Sequence, residues 1–270
     1  MDRAIGVIDS GVGGLTVAHE LMRQLPKERL IYLGDTARCP YGPRSEAEVK
    51  QFTGEMVAFL MEKQIKMLVI ACNTATAFAL EDLQKQLDIP VIGVIQPGAR
   101  AAIKTTVNGH IGVIGTEGTV RSEAYPNALK RIKEELDVTA LACPLFAPIV
   151  ERGILTGPEA EKVVNDSLGP IKAHQRIDTL ILGCTHYPLL KGTIQKAVGD
   201  HVAIISSGEE TARETSTILD VHGLLYKGDR TPRHAFYTTG DLEIFTNISR
   251  KIFNSSVEHL ESVTIEHAVI

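Results

Sequence analysis

The stretch MLVIACNTAT at residues 67–76 decides the fold of this chain, and the stretch TLILGCTHYP at residues 179–188 repeats its pattern. In each, a run of aliphatic residues ends at a cysteine, Cys72 in the first and Cys184 in the second. Short, continuous aliphatic runs are typical of buried parallel strands. Because open α/β sheets bind ligands at the carboxyl ends of their strands, we predict that the two thiols approach one site from two sides.

Further aliphatic runs predict more strands, and helical patterns fill most of the gaps between them. The predicted strands lie at residues 5–8, 30–33, 67–71, 91–94, 111–114, 138–142, 179–182 and 202–205. The helix that follows Ser45 begins with the spacing of a capping box, which pairs Ser45 with Glu48. This alternation predicts an α/β protein with parallel sheets flanked by helices.

An internal repeat indicates two similar α/β halves. The segment IGVIDSG at residues 5–11 resembles IGVIGTE at residues 111–117, and a cysteine motif follows each after a similar interval. The intervals are 63 residues from Asp9 to Cys72 and 69 residues from Gly115 to Cys184. One short match would mean little, because α/β strands resemble one another by composition, but several landmarks occur in the same order. We predict a first domain of residues 1–97 plus about 207–270 and a second of residues 98–206.

Composition argues against several classes of protein. The chain has 270 residues, a net charge of −5, no Trp and 5% aromatic residues, which disfavours nucleic acid as a partner. No apolar run approaches ~18 residues and the amino terminus lacks a signal-peptide pattern, so we expect a cytoplasmic protein with no membrane partner. Four cysteines make no disulfide framework here, and we expect them to remain thiols.

The first predicted strand ends in the glycine-rich turn DSGVGG at residues 9–14. Glycines allow backbone amides to approach an anion, but the turn departs from the dinucleotide fingerprint and no phosphate-binding lysine follows it. A carboxylate ligand, held by these amides and the Ser10 hydroxyl, fits better than a nucleotide. Asp9 is then available for acid/base or orienting work.

Cys72 and Cys184 are the candidate bases. We expect Asn73-Thr74 and Thr185-His186 to begin the following helices, where exposed amides would lower a thiol pKa below its usual ~8.5. His186 could activate or balance Cys184, or could simply be a surface or capping residue. Cys39 and Cys143 have no such setting, so we expect them to be structural.

Other interpretations of these residues remain open. A buried cysteine is often just a small apolar residue. Cys72, Cys184, His186 and Asp9 could form a zinc site, although their spacing is poor for chelation, and the two thiols could instead form a redox disulfide. No lysine occupies a loop suited to pyridoxal phosphate, and we predict neither a metal nor a cofactor.

Two opposed thiols suit one reaction in particular. A carbon acid with a stereocentre is inverted when one base removes its proton on one face and a second acid returns a proton on the other. Thr74, Asn73, Thr185 and the Ser10 loop could supply donors for the carbanion charge that grows in between.

Four motifs resemble those of a known family, the cofactor-independent glutamate racemases of the aspartate/glutamate racemase superfamily. They are DSGVGG at 9–14, CPYG at 39–42, ACNTA at 71–75 and GCTHYP at 183–188. The resemblance implies two pseudo-symmetric, flavodoxin-like domains with the active site between them and no cofactor. It also implies glutamate as the substrate, a supply of D-glutamate for peptidoglycan, and a homodimer.

The resemblance also implies roles for individual residues. Cys72 would take the proton from D-glutamate and Cys184 from L-glutamate, assisted by Asp9 and His186 respectively. Glu151 matches an acid near that histidine and is a possible auxiliary residue. The implied substrate-binding residues are Asp9, Ser10, Tyr41, Gly42, Asn73, Thr74, Thr116, Thr119, Thr185 and His186. A non-catalytic carboxylate-binding or metal-binding protein is the alternative class.

Overall fold

Two parallel β-sheets form the framework of the protein, one of six strands and one of four. The structure is a computed structural model that describes residues 2–255 and 257–265. The strands are β1 (Ile5–Asp9), β2 (Leu30–Gly34), β3 (Met67–Ile70), β4 (Val91–Gly93), β5 (His110–Gly115), β6 (Asp137–Ala142), β7 (Thr179–Gly183), β8 (Ala203–Ser206), β9 (Ala235–Thr238) and β10 (Leu260–Ser262).

Helices connect the strands and cover the faces of both sheets. They are α1 (Leu15–Gln24), α2 (Glu46–Glu62), α3 (Asn73–Gln86), α4 (Ile95–Thr105), α5 (Glu117–Arg121), α6 (Ala124–Ile132), α7 (Phe146–Glu151), α8 (Pro158–Ser167), α9 (Gly169–Ala173), α10 (Lys191–Val198), α11 (Ser207–Val221) and α12 (Leu242–Phe253). A 3-10 helix at Tyr187–Leu190 precedes α10. The predicted fold class, parallel sheets flanked by helices, is confirmed.

The first four strands of each half follow the same order in their sheet. The first sheet is β10-β9-β2-β1-β3-β4 and the second is β6-β5-β7-β8, with every pair parallel. Counted from the start of each half, both contain the order 2-1-3-4 that begins a flavodoxin-like sheet. β3 and β7, which lead to the two cysteines, therefore occupy equivalent positions, as the sequence repeat predicts.

All eight predicted strands are present, and β9 and β10 are additional. They extend the first sheet beyond β2. β9 has four residues and β10 has three, of which two are the polar Glu261 and Ser262. β10 is mostly polar and β9 contains no branched aliphatic residue, so neither gives the aliphatic run by which the other strands were predicted.

Each sheet is buried on both faces. In β1, Val7 packs in one apolar cluster and Ile8 in the cluster on the opposite face. In β5, Val113 and Ile114 divide in the same way. Successive side chains of a strand point to opposite faces, so burial on both sides requires the unbroken aliphatic runs seen in the sequence.

The chain passes from the first sheet to the second through α4 and returns after β8. The predicted domain boundary at residues 97 and 98 therefore falls inside a helix. α11 packs against both α1 and α4. The domain limits remain a prediction.

None of the helices in the described part of the chain is both long and apolar enough to span a bilayer.

Local signals in α2 are confirmed. Ser45 accepts a hydrogen bond from the Glu48 amide at 3.3 Å, and the Glu48 carboxylate accepts from the Ser45 amide at 2.9 Å. The reciprocal pair satisfies amides that the first turn of a helix leaves without partners.

A buried ion pair anchors the segment between α11 and β9. Lys66 and Glu28 are both almost fully buried, and their charged atoms lie 2.6 Å apart. The Lys66 ammonium also donates to the Leu224 carbonyl at 2.7 Å, and Glu28 accepts from the Tyr226 amide at 2.7 Å. The pair ties residues 224–226 to the amino end of the first sheet.

We expect Glu28→Ala to destabilise the protein by about 3–5 kcal/mol, because it removes the carboxylate that lies 2.6 Å from the buried Lys66 ammonium. Urea denaturation of the purified variant measures this change. The control is Asp229→Asn, which removes the partner of Lys27 at a carboxylate that is 95% exposed, and it should leave the midpoint unchanged. Equal midpoints for the two variants would contradict the expectation.

Candidate active site

The predicted site residues converge at the carboxyl ends of the central strands. Asp9 ends β1, Cys72 follows β3, Thr116 follows β5 and Cys184 follows β7. Both thiols line one small cavity. The residues that line it are Ser10, Pro40, Tyr41, Gly42, Cys72, Asn73, Thr74, Thr116, Ala147, Cys184, Thr185 and His186.

Cys72 caps the amino end of α3. Its sulfur accepts a hydrogen bond from the Ala75 amide at 3.4 Å and donates one to the Ser10 hydroxyl at 3.5 Å. Burial raises the pKa of the Cys72 thiol to about 12, and the negative charge of Asp9 adds to this, whereas the two hydrogen bonds oppose it. The prediction of a lowered pKa is wrong for Cys72, because desolvation outweighs the helix amide.

Cys184 lies in a different local structure. The prediction that an α-helix begins at Thr185-His186 is wrong. A turn leads instead to the 3-10 helix at Tyr187–Leu190, which has Pro188 in its first turn. The α-helix α10 begins only at Lys191. The Cys184 sulfur lies 3.7 Å from Nδ1 of His186. The neighbour of this thiol is therefore an imidazole rather than a row of helix amides.

His186 joins Cys184 to Glu151. Its Nε2 lies 2.5 Å from Oε1 of Glu151. Burial lowers the pKa of His186, but the hydrogen bonds and charges of Cys184 and Glu151 outweigh burial and hold this pKa well above its usual value. Burial likewise raises the pKa of Glu151, and the hydrogen bond and charge of His186 reverse that effect and lower it. Both shifts favour the charged form of each partner.

Glu151 also connects the two halves of the site. It ends α7 in the second half, and it accepts a hydrogen bond from the Val12 amide in the first half. The Cys39 sulfur donates to Oε1 of Glu151 at 3.7 Å. Cys39, which we expected to be structural, therefore belongs to the same hydrogen-bonded chain as His186.

Asp9 is fully buried between the two cysteine loops. Its Oδ1 accepts from the Gly11 amide at 3.0 Å, and its Oδ2 accepts from the Thr185 hydroxyl at 3.1 Å. Burial raises the pKa of Asp9, an effect that the charge of His186 opposes. Asp9 affects Cys72 through its charge, while the hydrogen bonds to that sulfur come from Ser10 and Ala75.

The glycines of residues 9–14 make room for the second half of the protein. A Cβ atom at Gly13 would lie 2.6 Å from both the Thr185 hydroxyl and Nδ1 of His186. A Cβ atom at Gly11 would lie 2.9 Å from both the Cys39 sulfur and Oε1 of Glu151. The glycines therefore allow the two halves to pack closely. The sequence alone does not distinguish this role from anion binding.

Threonine hydroxyls also lie at the cavity, which Thr74 and Thr116 line. The Thr74 hydroxyl lies 2.8 Å from that of Thr116 and 3.2 Å from that of Thr119. The Gly118 amide donates to the Gly42 carbonyl at 2.8 Å, which fixes the 39–42 loop against the second half. Tyr41 donates to the buried Asp35 at 2.5 Å. The structure thus brings every predicted site residue to the cavity or into contact with a residue that lines it.

Two residues at the site have no sequence signal. Ala147 lines the cavity, and the Tyr125 hydroxyl donates to Oδ1 of Asn73 at 2.8 Å. Tyr125 looks like an ordinary core residue of α6. Its contact with Asn73, 52 positions earlier, arises from tertiary packing.

One group of three possible metal ligands exists among residues 2–255 and 257–265. It consists of Cys39, Glu151 and His186, with ligand atoms within 4.8 Å of one another. These atoms already hydrogen-bond within the group. The group differs from the zinc set considered in the sequence, since it contains neither Cys72 nor Cys184. All four cysteines are free thiols.

Comparison with known proteins identifies the family. The sequence model of the Asp/Glu/hydantoin racemase family matches residues 5–215. The chain is 67% identical over 270 residues to glutamate racemase of Oceanobacillus iheyensis, covering 100% of this chain and 98% of the relative.

Two solved structures are also similar. Glutamate racemase isoform RacE1 of Bacillus anthracis is 50% identical, with a TM-score of 0.91 and coverage of 97% of this chain and 98% of the other. The Francisella tularensis glutamate racemase in complex with D-glutamate is 35% identical, with a TM-score of 0.91 and coverage of 99% and 100%. The chain belongs to the Asp/Glu/hydantoin racemase family.

The high pKa of Cys72 predicts how the thiol reacts with iodoacetamide. Since the thiolate is the nucleophile, alkylation of Cys72 should accelerate about tenfold per pH unit between pH 7 and 9. Mass spectrometry of the Cys72 peptide measures the rate. Asp9→Asn should raise the rate at pH 7, because it removes a charge that disfavours the thiolate. Urea-unfolded protein is the control, and its rate should level off above about pH 8.5; a similar plateau in the folded protein would contradict the expectation.

Replacing the partner of His186 should change its titration. We expect Glu151→Gln to lower the pKa of His186, which NMR of the imidazole measures. The folded pKa is raised, so the stability that His186 contributes is full below its unfolded pKa near 6.5 and is lost as pH rises through the folded value. The stability difference between wild type and Glu151→Gln should therefore shrink in that pH range. Glu159→Gln, at an exposed partner of Arg152, should leave the titration of His186 unchanged.

Proposed function

We propose that this protein interconverts L-glutamate and D-glutamate by transferring the α-proton between substrate and two thiols, Cys72 and Cys184, with no cofactor. One observation carries the proposal: both thiols line the same cavity, and they come from equivalent strand ends of two sheets with the same topology. A substrate carbon between them would meet one acid/base group on each face.

The surroundings of the two thiols suit opposite protonation states. The raised pKa of Cys72 keeps it a thiol at neutral pH, ready to donate a proton. Nδ1 of His186 lies 3.7 Å from the Cys184 sulfur, and the hydrogen bonds and charges of Cys184 and Glu151 raise the pKa of His186. We infer that Cys184 removes the α-proton of L-glutamate and that Cys72 donates its own proton to the opposite face of the carbon. The reverse reaction needs the two thiols to exchange protonation states.

Charge on the substrate helps to make the reverse state accessible. The substrate ammonium brings positive charge into a cavity next to the buried Asp9 carboxylate. A cation near Cys72 favours its thiolate and opposes the desolvation that raises its pKa. We therefore infer that Asp9 assists Cys72 by helping to bind the ammonium, and that His186 assists Cys184 directly.

Donors around the cavity suit the two carboxylates of glutamate. Ser10, Asn73, Thr74, Thr116 and Thr185 present hydroxyl or amide groups at the cavity or next to it. The same donors can stabilise the enolate-like charge that develops as the α-proton leaves. The Francisella tularensis relative in complex with D-glutamate supports this substrate class.

The biological role and the assembly belong to the same proposal. D-glutamate produced by the reaction would supply peptidoglycan synthesis, and we expect the protein to act as a homodimer in the cytoplasm. Light scattering of the purified protein tests the dimer, with a mass of one 29.3 kDa chain as the contrary result.

The activity is tested by circular dichroism of L-glutamate and D-glutamate incubated with the protein. We expect the signal of each to decay to zero, and Cys72→Ser or Cys184→Ser to lower kcat by roughly 10³-fold, since acid–base groups contribute ~10²–10⁴. Cys143→Ser is the matched control, because Cys143 is also a fully buried thiol but lies outside the cavity. A persistent signal with wild-type protein would show a binding protein rather than a racemase.

The two-base mechanism has a separate test. A glutamate analogue with chloride at C3 can lose HCl after a single deprotonation, so one thiol suffices for this elimination. Cys72→Ser should retain elimination from the L-isomer through Cys184, and Cys184→Ser should retain it from the D-isomer through Cys72. Loss of both eliminations in either variant would contradict the assignment of one thiol to each face.

A further inference from the structure

The amide of Asn73 is fixed in one orientation by a residue from the other half of the protein. Asn73 and Tyr125 are 2% and 1% exposed, and the Tyr125 hydroxyl donates to Oδ1 of Asn73 at 2.8 Å. Asn73 lines the cavity next to Cys72. Its Nδ2, with two N–H donors, is buried and has no hydrogen-bond partner among the described residues.

An unpaired buried donor of this kind needs an explanation, because leaving it unsatisfied costs ~1–3 kcal/mol. The carboxylates of glutamate are acceptors, and a carboxylate in the cavity would satisfy the Nδ2 donors. If the amide were flipped, it would present an oxygen to the carboxylate and repel it. The orientation of this one side chain therefore decides whether the wall attracts or rejects a carboxylate.

Packing fixes the position of the Tyr125 ring. A Cβ atom at Gly183 would lie 3.0 Å from the ring, and one at Gly98 would lie 3.2 Å from the hydroxyl. The ring therefore lies between α4 and the end of β7, in the space left by two missing side chains. Burial raises the pKa of the Tyr125 phenol, and the neighbouring Ser207 side chain opposes this shift. The Tyr125 hydroxyl donates its hydrogen to Asn73.

We propose that Tyr125 is a positioning residue that orients the Asn73 amide, so that Nδ2 forms a carboxylate-binding subsite selective against a carboxamide. The inference rests on the proposed function, since the ligand it describes is glutamate. Tyr125 touches Gly183, which precedes Cys184, and Asn73, which follows Cys72. It thereby links the carboxylate subsite to the relative placement of the two thiol loops.

The test is Tyr125→Phe, which removes the hydroxyl and keeps the ring. We expect KM for both glutamate enantiomers to rise about tenfold, the size of one hydrogen bond to a charged group, with kcat within about threefold of wild type. The released amide can then offer its oxygen to a carboxamide donor. Glutamine and isoglutamine serve as inhibitors. The ratio of the glutamate KM to the inhibition constant should therefore rise about tenfold for the analogue whose carboxamide faces Asn73.

Tyr187→Phe is the matched control. Tyr187 is also fully buried in the second half, and its hydroxyl donates to the Cys143 carbonyl at 2.8 Å, not to Asn73. It should lose similar thermal stability without the rise in KM or the change in inhibition. Unchanged KM in Tyr125→Phe, or the same kinetic change in both variants, would overturn the inference.

Asn73→Asp decides the matter if Tyr125→Phe does not fold. The aspartate keeps an acceptor for Tyr125 but replaces the Nδ2 donors with oxygen, so KM should rise by more than in Tyr125→Phe; an unchanged KM would overturn the inference. The activity of the wild-type protein separates the proposed racemase function from the proposed role of Tyr125. Failure of the wild-type protein to racemise glutamate would refute the function. Racemisation with unchanged KM in the variants would refute the role of Tyr125 alone.

Discussion

The close packing of the glycine-rich turn against the loop after β7 is the constraint on which the site depends. Thr185 can donate to Asp9, and His186 can lie beside the same turn, because Gly13 has no side chain to hold them away. Gly11 gives the same freedom to Cys39 and Glu151. With these contacts, the carboxyl ends of the strands in the two sheets enclose the cavity. Hydrogen bonds around the cavity join residues that are far apart in the chain.

The backbone is pseudo-symmetric, but the chemistry of the two thiols is not. Cys72 has a hydroxyl and a helix amide as neighbours, and desolvation dominates its pKa. Cys184 has the imidazole of His186, whose other nitrogen lies beside Glu151. Equivalent strand ends therefore carry one thiol with a raised pKa and one that lies beside an imidazole. Inversion at a carbon by two bases needs opposite protonation states, because one group accepts a proton on one face while the other donates its own proton on the other face.

Sequence patterns predicted the elements whose signals are local. The aliphatic runs before Cys72 and Cys184 predicted buried parallel strands, and the spacing of Ser45 and Glu48 predicted a helix start; both signals depend on residues within a few positions of each other. Strands β9 and β10 were missed, since neither contains an aliphatic run; β9 pairs with β2, and β10 pairs with β9 at the edge of the sheet. The lowered pKa expected for Cys72 was wrong, because the helix amide is visible in the sequence whereas the burial that overrides it is not.

The sequence by itself determined the class of fold, the repeat, and the placement of two cysteines at strand ends, because periodicity and residue type act through neighbours along the chain. Only the tertiary structure decided that both thiols line one cavity, that Glu151 hydrogen-bonds to His186, and that Tyr125 hydrogen-bonds to Asn73. These features depend on distances and desolvation among residues tens to more than a hundred positions apart. Such contacts form only when the two halves pack together, so no local pattern encodes them.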